Sequence, residues 1–108
     1  MDSDRQHKLE ARADILRALA HPTRLFIIEE LSRGERCVSD LTRMIGADTS
    51  TVSRHLSTLK QAGLVRDRRQ GLQIWYNLRV PCVLNFFSCI EAVLQSTAER
   101  HLNVLDHK

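Results

Sequence analysis

The 108-residue sequence predicts one domain, residues 1–108, mainly α-helical, with a small β-hairpin between its fourth and fifth helices. Three observations predict it. Only four glycines and two prolines interrupt a chain rich in helix formers. Apolar residues recur at helical spacing along most of its length. After Gly63 the pattern switches to β-branched and aromatic residues around a polar turn. Apolar residues make up 43% and charged residues 27%, a mix that builds one core and excludes a disordered or fibrous chain.

The first helix is expected from about Lys8 to Leu19, where Leu9, Ala13, Leu16 and Leu19 line one face, ending near His21 and Pro22. Pro22 suits the first turn of a second helix, where its missing N–H is no loss, and His21 is placed to help cap it. Leu25, Ile28 and Leu31 supply its stripe and Gly34 stops it. Val38, Leu41 and Ile45 mark a short third helix, with Ser39 and Asp40 in its first turn and Gly46 at its C-terminal end.

The tight turn Ala47-Asp48-Thr49 leads into a fourth helix, expected to be capped by Ser50 or Thr49, with Val52, Leu56 and Leu59 facing inward. Its opposite face is Thr51, Ser53, Arg54, Thr58 and Gln61, with Lys60 beside it and no acid. Hydroxyls, guanidinium and amide groups approach base edges and phosphate oxygens at small desolvation cost. Two short helices joined this way form a helix-turn-helix with the second as recognition helix. Leu64 to Leu78 reads as a hairpin turning at Arg69-Gln70-Gly71, with Leu72, Ile74 and Tyr76 alternating against Gln73 and Trp75. The last helix, Cys82 to about Leu102, carries Leu84, Phe86, Phe87, Ile90, Val93 and Leu94 on more than one face, as burial against both its own domain and a partner requires. The predicted architecture is a winged helix-turn-helix: four helices, a β-wing and a fifth helix.

Charge is unevenly placed. The total is +3, yet Ser50 to Gln70 holds Arg54, Lys60, Arg66, Arg68 and Arg69 against Asp67 alone, and the remainder of the chain is slightly acidic. A solvated basic face shows the same sum. Beside a helix-turn-helix and hairpin, however, it reads as a footprint for a phosphate backbone. The expected contacts to double-stranded DNA are Ser50, Thr51, Ser53, Arg54, His55, Thr58, Lys60, Arg66, Arg68, Arg69 and Gln70. Gly-rich phosphate loops, His-Glu-x-x-His, nucleophile elbows and Cys-x-x-Cys pairs are missing from the sequence, so neither an enzyme nor an organic cofactor is expected. No apolar run reaches the ~18 residues of a membrane span, and the opening MDSDRQHKLEAR lacks a secretion signal's apolar stretch. A cytoplasmic protein with no membrane partner is expected. Of the histidines, His7, His101 and His107 near the termini read as solvated.

The stretches Leu19-Ala20-His21-Pro22-Thr23-Arg24-Leu25, Cys37-Val38-Ser39-Asp40-Leu41, Ser50 to Val65, and the Gly71 to Leu78 wing return resemble the ArsR/SmtB repressors over roughly residues 8 to 95. The resemblance implies a homodimer, joined through first and last helices, that occupies an operator near its own promoter and leaves it when an inducer binds. Two recognition helices would then meet a pseudo-palindrome about 34 Å apart.

The inducer is harder to read. The arsenic-sensing branch uses Cys-Val-Cys-Asp-Leu; this chain keeps Cys37 but has Ser39 at the second thiol and Thr42 where some members have a third. The zinc-sensing branch's pairs on the last helix fall at Val80 and Cys82, and at Val93 and Ser96, while the persulfide-sensing cysteines fall at Glu29 and Gln95. Three thiols are present, Cys37, Cys82 and Cys89, in number what trivalent arsenic, a soft ion taking three sulfurs, prefers, with cadmium or lead next. Cys82 and Cys89 are seven residues apart, roughly 10.5 Å along a helix, so a shared ion needs either a bend at Pro81 or thiols from both protomers. Cys37 and Cys82, at helix mouths, suit a functional thiol; Cys89, among Phe86, Phe87 and Ile90, suits core or ligand equally. A disulfide-forming redox switch, or cysteines that only fill space, are the alternatives.

Overall fold

Capping chemistry sets most of the helix boundaries. The computed structural model describes residues 1–106; His107 lies outside the described residues. Helix α1 (Ser3–Leu19) starts five residues before the expected Lys8, because the Asp2 carboxylate accepts from the Arg5 N–H at 2.8 Å and caps an earlier turn. In α2 (Pro22–Leu31), Pro22 occupies the first turn and His21 Nδ1 accepts from the Thr23 N–H at 3.0 Å, as its position suggested. Helix α3 (Val38–Ile45) ends on Gly46 in the left-handed region, φ 78°, a conformation glycine adopts without Cβ strain. Helix α4 (Thr49–Gln61) is capped by Asp48 rather than Ser50 or Thr49: Asp48 accepts from the Thr51 N–H at 3.1 Å, and Ser50 instead donates its hydroxyl to the same carboxylate.

The wing is β2 (Val65–Gln70) antiparallel to β3 (Gln73–Leu78), in register from Val65↔Leu78 to Gln70↔Gln73. Its turn is Gly71-Leu72, not Arg69-Gln70-Gly71, so Leu72 stands exposed at the apex instead of joining the inward set with Ile74 and Tyr76. A third strand, β1 (Arg36–Cys37), pairs with β3 at Tyr76 and Trp75, giving the order β1-β3-β2. It was not expected, since two residues carry no readable periodicity.

Ile27 and Ile28 of α2, Leu41 of α3, and Val52, Leu56 and Leu59 of α4 are wholly buried in one core, closed by Leu64, Val65 and Tyr76 from the hairpin. Each such aliphatic side chain stabilises the fold by about 1.5–3 kcal/mol. Helix α5 (Val83–Asp106) starts one residue after Cys82 and sets Leu84 and Phe87 against this core. Phe86, Ile90, Val93 and Leu94 stay outside, Val93 and Leu94 at 64% and 57% exposed, and on α1 Leu16 is 47% exposed. No helix among the described residues is long and apolar enough to cross a membrane.

Candidate nucleic-acid interface

Complete burial of Val52, Leu56 and Leu59 fixes the rotation of α4, and the helical period then turns Ser53, Arg54 and Ser57 to solvent. Thr51, His55 and Thr58 lie half-buried along the rim of that face. Thr58 donates its hydroxyl to the Arg54 carbonyl at 3.1 Å, and Ser50 belongs to the Asp48 cap. Of the expected contacts on this helix, Ser53 and Arg54 therefore project most directly. Arg24 of α2, to which sequence reasoning gave no role, joins Thr51, Arg54, His55 and Thr58 around an open hollow of about 290 Å³. A separation of 31 residues between Arg24 and His55 hides that meeting from any local pattern.

Strand alternation places Arg66, Arg68 and Gln70 on one side of the wing and Asp67 and Arg69 on the other. Two of the cations among the expected DNA contacts are paired with carboxylates within the chain. Lys60 Nζ donates to Asp67 Oδ2 at 3.0 Å, bracing α4 to the wing. Arg68 donates to both carboxylate oxygens of Glu35 at 2.9 Å and to Gln70 Oε1 at 2.7 Å, and it lies 5.8 Å from the Trp75 ring. Asn77 donates to the same Glu35 at 3.3 Å. The Arg68 hydrogen bonds, then that of Asn77, hold the Glu35 carboxyl below its usual range against the opposing effect of burial. Exposed ion pairs of this kind add little stability; their effect is on orientation, holding the hairpin from both sides. Arg54, Arg66 and Arg69 make no side-chain hydrogen bond among the described residues.

The His55 imidazole is held below its ordinary pKa, first by burial and then by the basic groups His21, Arg24 and Arg54 around it. Its ring centroid stands 4.4 Å from that of His21.

The cysteines are dispersed. Cys37, expected to be accessible, is only 5% exposed, because pairing with Trp75 draws it into the sheet, and its Sγ lies 3.1 Å from Ser39 Oγ. Cys82 and Cys89 are exposed. Among the described residues, no three His, Cys, Asp or Glu side chains come together to hold a metal ion. One protomer therefore does not bring the three thiols together: Cys82 stands just before the start of α5, where Pro81 suggested, yet it forms no cluster with Cys37 and Cys89.

A buried two-helix unit whose second helix presents Arg54 beside a braced basic hairpin defines a winged helix-turn-helix domain. Comparison with known proteins agrees. Residues 21–67 match the model of the arsR family of bacterial regulatory proteins. An uncharacterized HTH-type transcriptional regulator of Mycobacterium tuberculosis is 31% identical over 107 residues, 98% of this chain and 92% of its own length. The HTH-type transcriptional repressor SmtB of Mycobacterium tuberculosis is 40% identical over 70 residues, 65% of this chain; the match spans about half, 52%, of the SmtB length. The homodimeric winged helix-turn-helix DNA-binding domain from Mycobacterium bovis superposes with a TM-score of 0.77 at 30% identity, covering 93% of each chain. The chain belongs to the ArsR family of bacterial regulatory proteins, a family of regulators and not of enzymes.

Proposed function

We propose that the chain is a DNA-binding transcriptional repressor that works as a homodimer in the cytoplasm. The observation that carries this reading is the fixed outward placement of Ser53 and Arg54 on α4 beside Arg66 and Arg69 of the wing. Base-edge donors sit on a helix narrow enough for a major groove, and phosphate-directed cations flank it. The apolar residues that α1 and α5 leave exposed supply a surface for a second copy, and the similar domain from Mycobacterium bovis is homodimeric. Footprinting of the gene's own upstream region at moderate ionic strength tests the reading. Protection of a pseudo-palindrome, weakened by Arg54→Ala, is the expected result; no protection anywhere overturns it.

The inducer is read as a thiol-directed agent, trivalent arsenic first and cadmium or lead next. The exposure of Cys82 and Cys89 supports this, since both can be reached; the burial of Cys37 and the spread of the three thiols stand against a site within one protomer. Ligands would have to come from two protomers. Mass spectrometry of the reduced protein separates arsenite addition, with loss of protons from the thiols, from oxidation to a disulfide, which loses two hydrogens and gains no ion.

A further inference from the structure

The guanidinium of Arg24 joins three elements. Its Nε donates to the Ala18 carbonyl at 2.6 Å and Nη2 to the Arg17 carbonyl at 3.4 Å, the latter also accepting from the Ala20 N–H, both at the C-terminal end of α1. Its Nη1 lies 3.3 Å from His55 Nδ1 on α4. A guanidinium has donors only, so Nδ1 is the acceptor, and a neutral imidazole then carries its proton on Nε2. The titratable and charged groups facing His55 are His21 at the α2 cap, Arg24 within α2 and Arg54 on α4 itself; all are basic, and all favour the neutral ring. Of the five N–H donors on Arg24, two remain for the hollow it shares with Thr51, Arg54 and Thr58.

We propose that Arg24 is a positioning residue for DNA recognition: it fixes His55 as an Nε2–H donor for a backbone phosphate oxygen and ties the rotation of α4 to the end of α1. This rests on the reading that α4 meets DNA. The consequence is a mechanical link between a helix of the proposed dimer interface and the recognition helix, made by one side chain. A shift of the last turn of α1 moves the acceptors of Arg24 and thereby the imidazole.

Long-range proton–nitrogen spectra of the full-length, nitrogen-labelled protein report which ring nitrogen of His55 is protonated, with no DNA present. The wild type is expected to show the Nε2–H form. Arg24→Met, which keeps the stem and removes every donor, should give mixed tautomers and raise the His55 titration midpoint towards the ordinary imidazole value. Arg24→Lys keeps the charge and loses the planar fork that spans the α1 carbonyls and His55, and if the methionine variant fails to fold, mixed His55 tautomers in the lysine variant are the expected result instead. On operator DNA, Arg24→Met and His55→Phe should each weaken binding on the order of tenfold, and the double variant should be no weaker than the worse single one. An unchanged His55 spectrum in these variants, or fully additive losses of affinity, overturns the proposal while leaving the repressor reading intact. A wild-type protein that binds no DNA but shows the expected spectra sinks the repressor reading instead.

Discussion

Helices α4 and α5 are both amphipathic, yet α4 buries its whole apolar face while α5 seats only its first turns on the core and leaves Phe86, Ile90, Val93 and Leu94 outside. Helix α1 behaves like α5, with Leu9, Ile15 and Leu16 exposed. The radius of gyration shows the same division: 17.5 Å, against about 13 Å for a compact chain of this length. The middle of the molecule buries its apolar residues, while the two terminal helices keep several of theirs in solvent. Apolar faces that stay exposed on this scale mark an interaction site rather than a core.

The sharpest way to break this contrast is to place a charge on each side of it. Ile90→Glu should leave the protomer folded, because Ile90 contributes nothing to the core, but should dissociate the dimer and reduce operator affinity by roughly a thousandfold, as loss of bivalent binding does. Sedimentation equilibrium and a mobility-shift titration check it; a variant that remains dimeric would assign the α5 face to something else. The converse change, Leu56→Ala, should cost about 3 kcal/mol of folding stability, within the 2–5 kcal/mol range for such truncations, without altering assembly of the folded fraction. Urea unfolding measures this, and a loss well under 1 kcal/mol would mean that α4 is not the keystone its burial indicates.

Most of the middle of the molecule was legible in the sequence because its signals are local. Pro22, Gly46 and the stripe Val52, Leu56 and Leu59 each act within one helix, and all three fall where the structure has them. The start of α4 was displaced because Asp48, Thr49 and Ser50 are adjacent capping residues that sequence alone ranks nearly equally; the hydrogen bond to Thr51 decides for Asp48. Strand β1 was invisible because it exists only through its register with Tyr76 and Trp75. The interface was legible in its face but not in its free charges. The acceptor for Arg68 stands 33 residues away at Glu35, and no spacing rule reaches that far.

That difference between tied and untied cations sharpens the recognition side. Arg69→Ala should lower the slope of log affinity against log salt by about one phosphate contact, whereas Arg68→Ala should lower it less, since Glu35 already neutralises that guanidinium. Glu35→Gln should then make Arg68 count, steepening the slope. Equal slopes for Arg68→Ala and Arg69→Ala would mean that the Glu35 pair opens on DNA.

The smallest expected effect concerns the two N-termini of the helix-turn-helix. Helix α3 begins at Cys37 with no side-chain cap bond, whereas α4 begins at Asp48, whose carboxyl is held below its usual pKa first by hydrogen bonding to Thr51, then by Ser50 and Arg54, against the effect of burial. A carboxyl with a folded-state pKa below its unfolded one contributes stability above the unfolded value, about pH 3.9, and loses that contribution as pH falls through the folded value. Asp48→Asn keeps an acceptor for the Thr51 N–H but removes the charge at the positive end of the helix. The stability difference between wild type and Asp48→Asn should therefore be largest at neutral pH and close as the solution is acidified below about pH 4. Urea midpoints taken along that range measure it. A difference that stays constant across the range would show that α4 needs the acceptor alone, and that in this respect the two helix starts differ in geometry and not in charge.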